Sequence, residues 1–170
     1  MNMTISNITK LLQIYESHPN VVAASKMLNK VNRLSIKGLH GSARALFSAS
    51  LFVKQPKHYL YILNDLESAG YFYHDLTQIS GTQNALFYPS AYKRAAKYGQ
   101  IDSANEILRT EVLSTLHDSK EPLIIVTYPD ALSEKTVSEE TLTKNTQKIS
   151  VGDKLDYSFD GIGFVQKGYV

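Results

Sequence analysis

The chain has 170 residues, 43% hydrophobic and 20% charged, which suits one globular domain or one domain with part of a second. Its net charge of +2 is too small to imply nucleic acid from bulk charge, and the absence of cysteine excludes disulfides and thiolate metal sites. No run of 18 apolar residues is present, and MNMTISNITKLLQIYESH lacks the basic-then-apolar layout of a signal peptide, so a cytoplasmic protein is expected.

Ile5, Ile8, Leu11, Leu12 and Tyr15 recur at helical spacing, predicting a helix over 5–16 that Pro19 ends. Val21 to Asn29 reads as a second short helix. Leu34-Ser-Ile36 reads as a short strand leading into Gly-Leu-His-Gly. Ser42 to Val53 is helical, with Ala45, Leu46, Ala49 and Phe52 on one face. HYLYIL, 58–63, has the aromatic and branched content of a buried strand. Asp65 is placed to cap a helix over 66–78. Ala85 to Tyr88 is a further short strand, stopped by Pro89, and 89–103 reads as a polar loop.

Ser103 and Glu106 form a capping box before a helix over 104–117, whose Leu108, Val112 and Leu116 share a face. Leu123 to Thr127 is a near-continuous apolar run, the pattern of a strand covered on both faces of a parallel sheet. Four strands alternating with helices predict an α/β fold, a parallel sheet with flanking helices. After about Ser138 the chain turns polar, with no long helical pattern. Residues 1–137 are therefore expected to form the α/β domain, and 138–170 the start of a small α+β domain.

The stretch Gly38-Leu-His-Gly41-Ser42-Ala43-Arg44-Ala45 sits between an expected strand and an expected helix, where a phosphate-binding loop would sit. A working loop uses its second glycine to let backbone N–H groups wrap phosphate, a lysine to reach the β and γ phosphates, and a hydroxyl to hold Mg²⁺. Here those three positions are Ala43, Arg44 and Ala45. Arginine is a poor substitute for a lysine point charge, and alanine offers no metal ligand. The expectation is a degenerate loop with no cofactor and no catalytic residue, in which Ser42 caps the helix and His40 supplies a turn hydrogen bond.

Several segments in order resemble the N-terminal, UvrB-like region of the bacterial transcription-repair coupling factor family, Mfd. They are IKGLHGSARALFSASLF, LYILNDLESAGYFYHDLTQISG, ALFYPSAYKR, ILRTEVLSTL, LIIVTYPDALSEKTVS and NTQKISVGDKLD. The resemblance covers about residues 1 to 156. It implies a non-catalytic module with a degenerate P-loop in a helicase-like α/β domain. That module recruits the nucleotide excision repair protein UvrA and helps regulate the full-length ATP-dependent DNA translocase. RNA polymerase and DNA would be met by the rest of such a protein. In the family the UvrA contact belongs mainly to the small domain whose start is expected at 138–170, truncated here, so no single UvrA-contacting residue is carried over.

Tyr92, Lys93, Arg94 and Lys97 form a basic stretch interleaved with aromatics. Such a stretch offers the alternative of weak contact with a DNA backbone. The five histidines lie at spacings that make no metal pair, so no metal site is expected. The polar 138–170 segment points to a monomer.

Overall fold

A computed structural model describes residues 2–80, 84–92 and 101–145. The chain divides into two compact units, Met1–Phe87 with Glu121–Pro129, and Tyr88–Lys120 with Asp130–Val170. The domain boundary expected after residue 137 lies within the second unit. Most of the 138–170 segment lies outside the described residues.

The first unit is α/β. It contains helices α1 (Asn2–Ser17), α2 (Pro19–Met27), α3 (Ala43–Lys54) and α4 (Leu66–Ser80), and strands β1 (Tyr59–Ile62), β2 (Ala85–Phe87) and β3 (Ile124–Thr127). The strands form one sheet of order β1-β3-β2, parallel throughout. β3 is central, and Leu123 to Thr127 are all buried, as a near-continuous apolar run requires. Register aligns Tyr59 with Ile124 and Ala85, and Tyr61 with Val126 and Phe87, so these side chains share a face. α3 and α4 pack on that face. Phe52 meets Tyr59 at 6.1 Å between ring centres, Phe72 meets Tyr61 at 5.1 Å, and Tyr73 meets Phe87 at 5.3 Å.

Helix α3 is the hub. It touches α1, α2 and α4, and Phe47 to Phe52 are buried without a break. Its small residues allow this close approach: Ala45 and Ala49 are 0% exposed. Ser50 is equally buried, and its hydroxyl donates to the Leu46 carbonyl at 2.8 Å, which removes the cost of burying it.

The second unit contains α5 (Ser103–Asp118), all but the first residue of α6 (Pro129–Ser133), and α7 (Glu139–Asn145). Tyr92 and Ile101 form an isolated antiparallel bridge. His117 Nδ1 lies 3.2 Å from Glu139 Oε1, joining the end of α5 to the start of α7.

Three expectations are corrected and two are refined. Leu34-Ser-Ile36 is not a strand; residues 33–40 have no regular structure, and three strands, not four, are present among the described residues. Pro19 does terminate α1, but it also opens α2 at once, because its missing N–H is no loss in a first turn. His18 caps that turn, its Nδ1 accepting from the Asn20 N–H at 3.2 Å. The cap of α5 is Asp102, whose carboxylate accepts from the Ala104 N–H at 3.1 Å, while Ser103 is already helical. β1 is an edge strand and only half-buried: Leu60 is 54% and Ile62 55% exposed. Finally, the segment after Ser138 does form a short helix, α7, supported locally. Ser138 Oγ accepts from the Thr141 N–H at 3.2 Å, and Lys144 pairs with Glu140 at 2.7 Å. Asp65 behaves as expected, accepting from the Ser68 N–H at 2.7 Å.

No helix among the described residues is long and apolar enough to cross a membrane.

Candidate functional site

The glycine loop and the start of α3 were the leading candidate, and local chemistry explains the shape they take. Gly38 has φ +88° and Gly41 φ +52°, the left-handed region that favours glycine. A Cβ at either position would meet nothing within 4 Å, so backbone conformation alone calls for glycine there. The turn closes through Ala43 N–H to the His40 carbonyl and Arg44 N–H to the Gly41 carbonyl, both at 3.2 Å. The turn bond expected from His40 therefore comes from its backbone. Ser42 holds the N-cap position but has helical backbone angles, φ −66° and ψ −10°, and its hydroxyl makes no capping bond.

This geometry bears directly on anion binding. A helix start binds phosphate through N–H groups left without intrahelical partners. Two of the first such groups of α3 are spent inside the loop. Ala45 is 0% exposed and faces the core, so the position that would carry a metal-binding hydroxyl is turned inward. Arg44 is exposed. It lines a cavity of about 380 Å³ together with Gly41, Ser42, Ser68, Tyr71 and Asp75. A guanidinium and a carboxylate on one small wall leave little net field for an incoming polyphosphate.

Of the basic loop, Tyr92 is 49% exposed, and its N–H donates to Ser90 Oγ at 3.2 Å. Lys93, Arg94 and Lys97 lie outside the described residues.

A polar cluster in the second unit is absent from the sequence reading. Arg109 is only 7% exposed. Its guanidinium donates to the Pro89 carbonyl at 2.8 Å and the Ala131 carbonyl at 3.1 Å, and lies 3.2 Å from Glu134 Oε2. The guanidinium carbon is 4.2 Å from the centre of the Tyr88 ring, a cation–π stack. Glu134 in turn accepts from the Ala91 N–H at 2.8 Å and from the Ser90 hydroxyl. Burial pushes the Tyr88 hydroxyl pKa up, with Arg109 pulling it down and Glu134 pushing it further up. The cluster ties 88–91, α5 and the end of α6 into one knot, beside a cavity of about 460 Å³ lined by Tyr92, Ile101, Glu106 and Val137 among others. Every charge in it is paired within the protein, so it reads as structural. The sequence signal was a charged residue three positions before Val112, on the buried side of α5.

Compared with protein-family models and with curated proteins, the chain matches none.

Proposed function

We propose that the chain is the N-terminal, UvrB-like module of a transcription-repair coupling factor. It is non-catalytic, serves recruitment of UvrA, and regulates an ATP-dependent DNA translocase whose motor lies elsewhere in the full-length polypeptide. The ordered series of sequence segments supports the family. The parallel α/β first unit is compatible with it. The observation that carries the non-catalytic part is the start of α3. Ala45 is buried where a Mg²⁺ ligand would stand, and the N–H groups of Ala43 and Arg44 are engaged by loop carbonyls. Without lysine, metal ligand and open N–H groups, the electrostatic stabilisation that dominates phosphoryl transfer has no source in this loop.

Calorimetric titration of the chain with UvrA tests the recruitment half, and titration with ATP and Mg²⁺ tests the other. Micromolar or tighter binding of UvrA with no ATP hydrolysis is the expected result. If UvrA bound neither this chain nor a version continued beyond Val170, the recruitment reading would fall. ATP turnover by the chain alone would overturn the non-catalytic one.

A further inference from the structure

The charge of this chain is unevenly placed. Between Glu16 and Asp65 there is no acidic residue and there are seven basic ones: Lys26, Lys30, Arg33, Lys37, Arg44, Lys54 and Lys57. Eleven of the eighteen Lys and Arg residues remain for the rest of the chain, which holds all sixteen acidic ones. The near-neutral total therefore hides a strongly cationic tract and an acidic remainder. All seven cations are exposed, and none is in an ion pair among the described residues.

The same tract borders an apolar groove of about 330 Å³ in the first unit. Leu34, Ile36 and Leu39 form one wall, Phe47 and Leu51 the floor, and Tyr59, Tyr61 and Ile62 of β1 the other wall. Arg44 lines the groove directly. Arg33 and Lys37 flank the Leu34–Ile36 wall in the chain, and Lys57 lies 5.8 Å over the Tyr59 ring. β1 itself is the outer strand, hydrogen-bonded to β3 alone among the described strands, and Leu60 and Ile62 are more than half exposed. An open strand edge beside an apolar groove is a template for an extended segment, with main-chain bonds giving affinity and the groove taking alternate side chains.

We infer that this groove and its cationic rim form a docking surface for an acidic protein segment, one that places apolar side chains between Leu34–Leu39 and β1 and sets its carboxylates against Arg33, Lys37, Arg44 and Lys57. Charge complementarity selects an acidic partner, and the groove selects a peptide over a nucleic acid. A phosphate backbone would use the cations but has no apolar side chains to bury, and the Tyr59 and Tyr61 rings are already packed on Phe52 and Phe72 rather than presented for base stacking. The inference does not rest on the family reading above.

The test uses three fluorescent probes at about 0.1 M salt, where the screening length is about 10 Å. One is a peptide of alternating Glu and Leu or Ile, one is an oligo-glutamate of the same charge, and one is single-stranded oligothymidine. Anisotropy should show the alternating peptide binding at least about tenfold tighter than either other probe, a difference of about 1.4 kcal/mol. Arg33→Glu with Lys37→Glu should weaken it at least tenfold, and so should Ile36→Ser. Lys120→Glu, an exposed cation in the second unit, should leave it unchanged. Arg33, Lys37 and Ile36 are exposed, and a thermal melt confirms that each variant still folds. Equal binding of oligo-glutamate would reduce the surface to bulk charge and overturn the inference. Tighter binding of oligothymidine would make it a nucleic-acid surface instead, and absence of binding by all three would remove it.

Discussion

Arg109 and Glu134, separated by 25 positions in sequence, meet at 3.2 Å with side chains only 9% and 13% exposed. Each is further tied to backbone: Arg109 to the Pro89 and Ala131 carbonyls, Glu134 to the Ala91 N–H. A buried pair of this kind is costly to break from one side, because the surviving charge keeps its desolvation penalty and loses its partner.

Glu134→Ala should therefore destabilise the second unit by about 3–5 kcal/mol in urea unfolding. Replacing both partners, Arg109→Met with Glu134→Leu, should cost less than Glu134→Ala alone. A loss below about 0.5 kcal/mol for Glu134→Ala would mean that water reaches the pair and that the knot is a surface feature.

The three glycines on described backbone should separate by backbone conformation. Gly38→Ala and Gly41→Ala each force a side chain into left-handed backbone and should cost about 1–2 kcal/mol. Gly70 lies inside α4 at negative φ, and an added Cβ meets nothing within 4 Å. Gly70→Ala should instead stabilise by about 0.5–1 kcal/mol. Equal effects at all three sites would contradict the φ values of the loop.

Giving the loop the residue types of a phosphate-binding loop should not create nucleotide binding. Ala43→Gly, Arg44→Lys and Ala45→Thr together recreate the residue types of a phosphate-binding loop. Ala45 is 0% exposed, so its threonine hydroxyl would enter the core and cost about 1–3 kcal/mol. The inward turn bonds to His40 and Gly41 would still occupy the first N–H groups. Calorimetry with ATP and Mg²⁺ should show no binding by the triple variant; millimolar or tighter affinity would mean that the loop reopens at little cost.

Tyr61 predicts an alkaline limit to stability. Burial pushes its pKa from 10.0 up to about 12, opposed by a hydrogen bond with Ser48 and raised a little further by Tyr59. Burial also raises the pKa of Tyr59. A folded-state pKa above the unfolded one means the folded chain holds the proton more tightly. The stabilisation is whole below pH 10 and is lost as pH rises from 10 through about 12. Thermal melts should fall across that window, and less steeply for Tyr61→Phe. The chain has eleven tyrosines, so the difference between the two proteins is the reading that counts. An identical alkaline slope in Tyr61→Phe would place the loss elsewhere.

Local chemistry alone determined much of this protein. The apolar run at 123–127 announced a central strand because two-sided burial leaves no polar alternation. Asp65 announced a cap because its carboxylate reaches N–H groups three residues away. The glycines at 38 and 41 announced a tight turn. The acid-free tract from 17 to 64 was also written in the sequence. Tertiary structure decided what depends on partners far along the chain. Leu34-Ser-Ile36 has strand-forming residues, yet a strand exists only where a neighbour supplies its hydrogen bonds, and none does. HYLYIL resembles a buried strand, but β3 took the centre of the sheet and left Leu60 and Ile62 at the edge. On α5, hydrophobic spacing pointed to Leu108, Val112 and Leu116. The fold buries Arg109 with Val112 and leaves Leu116 39% exposed, because carbonyls 20 and 22 positions away accept the guanidinium's protons. Periodicity records what a helix could bury by itself; only the packed chain brings up the acceptors that let an arginine go inside.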